Sequence, residues 1–299
     1  MRCGGRWAPF VAVGTAAISA CGSPDGGEGR PASDTIPIEA SDPQMDSASE
    51  RPVLRDGPTP TLPSSRVAID NTPVWVEGGT FLMGSDESHP PMAPAHEVTV
   101  SSFWIQEHEV TNAEFRRFRP NHPSVDDPDD LPVQYVQWDE AVAYAASLGG
   151  SLPTEAQWEY AARGQGGRPY PWGDTNPTCA LARYFDCRPR GAVFVMSLPA
   201  GATPDGVYDL AGNVAEWVMD RYGPYQAGPV RDPDGPDTGD RRVLRGGGWQ
   251  TDSTYLSGIA RTSWPQQNPA DVVNEMAGIG FRVVWSGELE RDSIPPVPR

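Results

Sequence analysis

Two carboxylates stand on either side of a glycine in the stretch Gly206-Val207-Tyr208-Asp209-Leu210-Ala211-Gly212-Asn213-Val214-Ala215-Glu216-Trp217. Gly212 permits a tight turn, so the carbonyl oxygens of Gly212 and Val214 can point to the same centre as the carboxylates of Asp209 and Glu216. A hard cation such as Ca²⁺ takes roughly six to eight oxygen ligands, from carboxylates and carbonyls together. We therefore predict a structural calcium site formed by Asp209, Gly212, Val214 and Glu216. The alternative is a cation-free loop, in which both carboxylates accept hydrogen bonds from backbone amides.

Six other motifs flank this stretch, four before it and two after it. They are VEGGTFLMGS at 76–85, HEVTNAEF at 108–115, LPTEAQWEYAARG at 152–164, PWGD at 171–174, RGGGW at 245–249 and GFR at 280–282. Any one of them alone would be weak. All seven in this order resemble the formylglycine-generating enzymes, also called sulfatase-modifying factors, over residues 72–286.

The resemblance implies an irregular α+β fold related to C-type lectins, with few short strands, about three helices and long loops. It also implies calcium at the four positions named above. In the active members of the family, a pair of cysteines after the Arg-Gly-Gly motif holds copper and does the chemistry.

The catalytic cysteines are missing from this chain. No cysteine follows Cys187, so the segment after the Arg-Gly-Gly motif contains no thiol. Cu(I) is a soft ion that selects thiolate ligands. Two more positions differ from the family pattern, because Ala215 replaces its usual Trp and Gly248 its usual Ser. We therefore predict that the protein holds no copper and has no catalytic residue. This favours a protein that is not an enzyme over one that is.

The two cysteines of the folded region, Cys179 and Cys187, are predicted to form a structural disulfide. An isolated pair tends to oxidise outside the cytoplasm, and the pair lacks the Cys-x-x-Cys spacing of redox-active sites.

The N-terminus predicts a lipoprotein. A positively charged start and a short apolar run precede Ile18-Ser19-Ala20-Cys21, which matches the bacterial lipobox. Residues 1–20 are interpreted as a signal peptide, with Cys21 acylated and residues 21–71 as a disordered linker rich in Pro, Ser and Asp. Gly22 favours the outer membrane over the inner membrane, by analogy with enterobacterial sorting. The alternative is a secreted protein cleaved after Ala20.

Composition limits the remaining possibilities. Nine of the ten tryptophans lie from Trp75 onward, so residues 72–286 are predicted to fold and residues 287–299 to form a frayed tail. The net charge of −17 argues against a nucleic-acid partner, because phosphates would be repelled. The acidic run at 232–237 is interpreted as a solvated turn, since an EF-hand would need Glu where Val243 stands.

The local patterns predict a few regular elements. Residues 72–76 and 80–83 are predicted to form a hairpin around Gly78 and Gly79, and residues 97–105 to form another strand with Val98, Val100, Phe103 and Ile105 inward. Helices are predicted to start at Thr111, Asp139 and Thr154. Little regular structure is predicted beyond Gly164.

Most motif residues are predicted to be scaffold. The proposed core aromatics are Trp158, Trp172, Trp217 and Trp249. The arginines expected to tie loops together are Arg163, Arg245 and Arg282, with Glu109 and Glu159 as candidate partners.

The leading functional hypothesis is a non-catalytic envelope lipoprotein that binds an exported protein, peptide or glycan. Tyr225, Tyr255 and Trp264 are its candidate binding face, although each could equally be a core aromatic. The alternative is an oxidoreductase that modifies residues of exported proteins with a different metal.

Overall fold

The computed structural model describes residues 71–87, 90–124, 126–266 and 276–287. The first elements of this part are two bent segments that pair with each other in antiparallel orientation, here called arms. The first arm contains β1 (Pro73–Val76) and β2 (Gly79–Met83), and the second contains β3 (His96–Val100) and β4 (Phe103–Gln106). β1 pairs with β4 and β2 pairs with β3, in a register that continues across the bend. Each arm therefore contributes one strand to each of two sheets.

The predicted hairpin between β1 and β2 is wrong. The arms cross so closely at Gly78 that a Cβ there would lie 2.5 Å from the backbone nitrogen of Ser102. Gly78 thus permits a close crossing of two backbones, and Gly79 leaves room for the hydroxyl of Tyr160. The inward residues of the second arm are as predicted, since Val98, Val100, Phe103 and Ile105 are all buried.

Three α-helices follow, as predicted. They are α1 (Asn112–Phe118), α2 (Trp138–Ser147) and α3 (Glu155–Arg163). Capping boxes at Thr111 and Thr154 start α1 and α3, and α3 ends at Gly164. Helix α2 starts earlier than predicted, because its capping box uses Gln137 and Asp139 lies inside the first turn.

The prediction of little regular structure beyond Gly164 is wrong. Six short strands follow, namely β5 (Ala215–Arg221), β6 (Val230–Arg231), β7 (Arg241–Arg245), β8 (Arg261–Pro265), β9 (Ile279–Phe281) and β10 (Val284–Ser286). They form a four-stranded sheet in the order β8-β7-β5-β9, while β10 and β6 complete the two sheets of the arms. Five of the seven β5 residues are buried, so the strand lacks the alternating polarity that would reveal it in sequence. The irregular α+β fold class is confirmed.

The core joins the helices to this central sheet. The indole nitrogen of Trp138 donates to the carbonyl oxygen of Val218 (2.8 Å), and that of Trp217 donates to the carbonyl oxygen of Val136 (2.7 Å). Trp158 and Trp217 are fully buried, whereas Trp172 and Trp249 are half-buried. The indole N–H groups of Trp138, Trp158 and Trp217 therefore all have partners, which avoids the cost of an unpaired donor in the interior.

The predicted disulfide is present. Cys179 and Cys187 are bonded with an S–S distance of 2.09 Å, and Cys187 is buried. The signal peptide at 1–20, Cys21, the linker up to residue 70 and the tail from 288 lie outside the described residues. Among the helices of the described part of the chain, none combines the length and apolarity needed to cross a bilayer.

Removing the disulfide should destabilise the domain. We expect replacement of both cysteines by serine to lower the free energy of unfolding by about 2.5 kcal/mol, because the bond closes a short loop in the unfolded chain. Denaturant titration with and without a reducing agent measures this. The serine variant should be insensitive to reductant, and equal stability of wild type and variant would contradict a structural role.

Candidate functional site

The loop from Asp209 to Glu216 has an unusual backbone. Asp209 and Asn213 adopt positive φ angles of 60° and 61°, and Gly212 has φ of 88°. A Cβ at Gly212 would lie 2.5 Å from the carbonyl oxygen of Arg183, so only glycine fits this crossing. The loop is therefore wound tightly and pressed against the chain around Arg183.

Asn213 is the centre of this loop. Its side-chain nitrogen donates to Glu109 Oε2 (2.6 Å), and its side-chain oxygen accepts from the backbone N–H of Val193 (2.9 Å). Its carbonyl oxygen accepts from the backbone N–H of Trp249 (2.9 Å). Glu109 also accepts from the backbone N–H of Val214 (3.0 Å). Sequence analysis did not single out Asn213, although asparagine is among the few residues that tolerate a positive φ.

Glu216 is held by an arginine. Its two oxygens accept from Nη2 (2.7 Å) and Nε (2.8 Å) of Arg282, and Oε2 also accepts from the indole of Trp158 (2.9 Å). Both charged side chains are almost completely buried. Arg282 further donates to the carbonyl oxygens of Gln106 and Tyr208, which confirms its predicted role as a tie between segments.

The charges around this loop are not balanced by arginine alone. Glu109, Asp209 and Glu216 are all buried near one cation, Arg282. Burial, reinforced by the charges of Asp209 and Glu216, raises the pKa of Glu109 well above its ordinary value. Burial also raises the pKa of Asp209 to about 6, against the lowering effect of a hydrogen bond from Met196. An additional cation at this loop would relieve the repulsion.

The four predicted calcium ligands differ in how free they are. Asp209 accepts through Oδ2 from the backbone N–H of Met196 (2.8 Å), and its Oδ1 accepts no hydrogen bond from the described residues. Glu216 would have to share its oxygens with Arg282. Among the described residues, no three His, Cys, Asp or Glu side chains lie close enough to hold a metal by themselves. A cation here would thus depend on Asp209 and on the carbonyl oxygens of Gly212 and Val214.

The Arg-Gly-Gly motif is anchored by a second buried network. Arg245 donates to Glu159 Oε2 (2.7 Å) and to the carbonyl oxygens of residues 258–260. Glu159 also accepts from Arg163 (2.5 Å) and from the backbone N–H of Gly84 (2.9 Å). Glu159 is thus the predicted partner of the arginines, whereas Glu109 bonds to Asn213 and Val214 instead.

The segment that follows the Arg-Gly-Gly motif forms a tight turn. Residues Ser253–Leu256 form a 3₁₀ turn, which the side chain of Asp252 caps. Thr251 closes the turn after the motif by accepting from the backbone N–H of Gly248 (2.9 Å) and donating to its carbonyl oxygen. A Cβ at Gly248 would lie 3.0 Å from the backbone nitrogen of Ala215. The two departures from the family pattern therefore touch each other.

The disulfide loop lies beside this turn. The backbone N–H of Phe185 donates to the carbonyl oxygen of Thr251 (2.9 Å). Phe185 is 38 % exposed and Tyr255 is 39 % exposed, so two aromatic rings face solvent on the adjoining segments. Phe185 was missed by sequence analysis, because the pair Tyr184-Phe185 in an irregular loop shows no helix or strand periodicity.

The three residues of the predicted binding face have different surroundings. Tyr255 is exposed, while Trp264 is half-buried and packs against the core. Tyr225 is also half-buried, and its hydroxyl donates to Glu155 Oε1 (3.0 Å) while its ring lies 4.3 Å from the guanidinium of Arg261. Since strand residues alternate, Trp264 lies on the face of β8 opposite to Arg261. The three rings therefore do not share one set of contacts.

A cavity of about 360 Å³ opens at Tyr225. It lies between the first residue of α3, the end of β5 and the acidic loop at 232–237. Sequence analysis gave no sign of it, because its walls come from five separate segments.

Comparison with protein families agrees with the motifs. The family model described as the sulfatase-modifying factor enzyme 1-like domain matches residues 60–287. The chain belongs to the sulfatase-modifying factor family. The resemblance drawn from the seven motifs is confirmed.

Individual relatives of this sulfatase-modifying factor domain include enzymes and an inactive member. The chain is 33% identical over 305 residues to a hercynine oxygenase of Mycolicibacterium thermoresistibile, an alignment that covers 84% of this chain. The aligned part covers 66% of that enzyme's length, which is less than two thirds. It is 30% identical to the inactive C-alpha-formylglycine-generating enzyme 2 of Mus musculus, covering 76% of this chain and 90% of that protein.

A solved structure has the same fold. Treponema denticola variable protein 1 superposes with a TM-score of 0.61 at 23% identity, over 71% of this chain and 94% of that one. At this identity, the likeness concerns the fold alone.

Proposed function

We propose that this protein is a lipid-anchored envelope protein whose sulfatase-modifying factor domain binds an exported protein, peptide or glycan and does not oxidise cysteine. One observation carries the proposal. The only two cysteines of the domain are bonded to each other, and the segment after the Arg-Gly-Gly motif has none. A disulfide offers no thiolate to Cu(I), so the chemistry of the active relatives lacks its ligands.

The surface beside the turn that follows the Arg-Gly-Gly motif supports a binding role. Phe185 and Tyr255 expose their rings on segments that hydrogen-bond through Thr251. Aromatic residues are enriched at protein interfaces, where they bury large areas at low entropic cost. A relative named as inactive also occurs in the family.

An oxidoreductase is the second candidate, and the 33% identity to a hercynine oxygenase favours it. That enzyme is longer than this chain, and its activity belongs to the whole protein. The described residues hold no cluster of three metal-ligating side chains. A redox metal would therefore need ligands from a partner, from backbone oxygens or from outside the described residues.

Calcium is proposed as a structural ion at the loop from Asp209 to Glu216. The excess of buried carboxylates over arginine supports it, together with the unbonded Oδ1 of Asp209. The ion would neutralise Asp209 and fix the loop, with ligands from Asp209, Glu216 and the carbonyls of Gly212 and Val214.

The copper reaction should fail with this protein. We expect no aldehyde when the purified protein is incubated with copper and a cysteine-containing sulfatase peptide, because the thiolate pair is absent. Mass spectrometry of the peptide after aldehyde trapping measures this, with an active formylglycine-generating enzyme as the positive control. Aldehyde formed by the wild type, or by a variant with Cys179 and Cys187 replaced by serine, would overturn the proposal.

Calcium and pH should act on stability through Asp209. The pKa of Asp209 is about 6 in the folded protein and near 3.8 ordinarily. The folded state therefore binds the proton more tightly, so stability in chelator should fall as pH rises from about 4 through about 6. Asp209→Asn should remove this fall, on the order of 2 kcal/mol, and should abolish the stabilisation that calcium gives the wild type at pH 7.

Thermal and denaturant unfolding, with EDTA or calcium at each pH, measure both effects. Asp186→Asn, at an exposed residue outside the loop, is the control and should behave like the wild type. If calcium leaves the stability of the wild type unchanged at every pH, the proposed calcium ion is ruled out.

The lipid anchor predicts a change of location. Cys21→Ser should move the protein from the membrane fraction to the soluble fraction, because the acyl chains would have no sulfur to join. Cys3→Ser, within the predicted signal peptide, should leave the location unchanged. Fractionation with labelled fatty acid measures both, and sucrose-gradient separation of the membranes tests the outer-membrane assignment. Unchanged membrane binding of Cys21→Ser would refute the anchor.

A further inference from the structure

The cavity at Tyr225 has the size and walls of a ligand site. Its volume of about 360 Å³ falls at the lower end of the range for small-molecule pockets, roughly 300–1,000 Å³. The apolar part of its wall consists of Met83, Pro224, Tyr225, Val230, Pro233 and Pro236. Such a wall suits an alkyl chain.

Beside Glu155, which forms an ion pair with Arg261, the cavity is lined by a second buried carboxyl group, that of Asp220. This side chain is 4% exposed and accepts through Oδ2 from the backbone N–H of Glu155 (2.7 Å). No cationic side chain among the described residues lies within salt-bridge distance of it. A buried carboxylate without a counter-ion is costly, which makes a cationic ligand favourable.

The arginines Arg221 and Arg261 line the cavity, and both have other partners. Arg221 donates to the carbonyl oxygen of Gly239. Arg261 donates through Nη2 to Glu155 Oε2 (2.7 Å) and through Nη1 to the carbonyl oxygen of Gly223 (2.8 Å). Its guanidinium also lies over the rings of Tyr222 (4.6 Å) and Tyr225 (4.3 Å). These contacts hold Arg261 on Glu155, so its charge lowers the pKa of Asp220 only in part and it forms no ion pair with that carboxyl group.

The acidic loop at 232–237 forms the mouth of the cavity. Asp232 anchors it by accepting from the backbone N–H (2.6 Å) and the hydroxyl (2.7 Å) of Ser101. Gly235 has φ of 83°, and a Cβ there would lie 2.9 Å from the Cβ of Asp220. Asp234 is exposed on the rim. The loop that looks like a plain solvated turn in sequence thus places a second carboxylate at the entrance.

We propose that this cavity binds a primary ammonium group on an alkyl chain, presented by a lysine side chain of the partner, with Asp220 as counter-ion and Asp234 at the entrance. The proposal rests on the binding function above and specifies the chemistry that the partner must carry. Ammonium suits the site better than guanidinium, because one oxygen of Asp220 is already bonded and a planar fork needs two. The chain itself contains no lysine, so this cation must come from another molecule.

The protonation of Asp220 agrees with this assignment. Burial, followed by the charge of Glu155, raises the pKa of Asp220 to about 8. An arriving ammonium would stabilise the ionised form and take the place of the proton.

A small-molecule test addresses the cavity directly. With full-length protein in detergent, N-acetyl-lysine methylamide should bind saturably and at least tenfold more tightly than its neutral isostere, N-acetyl-norleucine methylamide. Asp220→Asn should weaken the lysine probe at least tenfold, and so should Gln226→Trp, which narrows the entrance from an exposed position without touching buried charges. Asp237→Asn, exposed in the same loop but outside the cavity lining, should leave it unchanged.

Isothermal titration calorimetry measures the affinities, and thermal unfolding verifies that each variant folds. Equal binding of the two probes, or lysine binding that survives both Asp220→Asn and Gln226→Trp, would overturn the proposal. Binding of divalent cations alone at this cavity would do the same.

A coupling experiment tests the source of the ammonium. Carbodiimide joins carboxylates to amines, and a chain without lysine should couple to a partner's lysines through its accessible carboxylates, Asp234 among them. Membranes treated in this way should yield a conjugate that Asp220→Asn reduces at least tenfold. Equal capture by the wild type and Asp220→Asn would sink the inference and leave the binding function standing. Lysine-probe binding with no partner captured by any variant would instead sink the binding function and leave a site for free amines.

Discussion

The buried ion pair between Glu216 and Arg282 is the contact on which the rest of the described fold depends. It joins the central strand β5 to the short segment between β9 and β10, and both side chains are at most 1% exposed. The indole of Trp158 completes the shell, so α3 is fixed to the same point. A buried pair of this kind is costly to break from one side, on the order of 3–5 kcal/mol, because a lone charge then remains in the interior. The loop that begins at Asp209 is held in its wound form by this end point.

The scaffold around the Arg-Gly-Gly motif is independent of the chemistry that follows it. Arg245 and Glu159 anchor the motif from the buried side, whereas Thr251 and Tyr255 lie on the solvent side. Residues on an exposed turn can change with little effect on the folding free energy. The family fold is therefore retained here without its thiols, which is consistent with function residing in a grafted site instead of the fold itself.

The buried carboxyl groups of the domain differ in how their charges are compensated. Around Glu155 and Glu159, arginines form direct ion pairs with the carboxylates. Around Asp209 and Asp220, buried carboxyl groups have no such partner among the described residues. The difference explains why a cation is proposed at each of these two places, a metal ion at a loop rich in carbonyls and an ammonium at a cavity with apolar walls. A net charge of −17 would attract either one.

The sequence by itself determined the family, the disulfide and the starts of helices α1 and α3. These depend on local signals, because a capping box at Thr111 or Thr154 acts within four residues and a missing cysteine needs no coordinates. Only the tertiary structure decided how strands β1 to β4 pair, that Glu109 serves Asn213, and that Asp220 lines a cavity beneath the acidic loop. These are contacts between segments up to more than one hundred residues apart, such as the 104 positions between Glu109 and Asn213. No local pattern encodes them, since they arise from how the whole chain excludes water and pairs its buried polar groups.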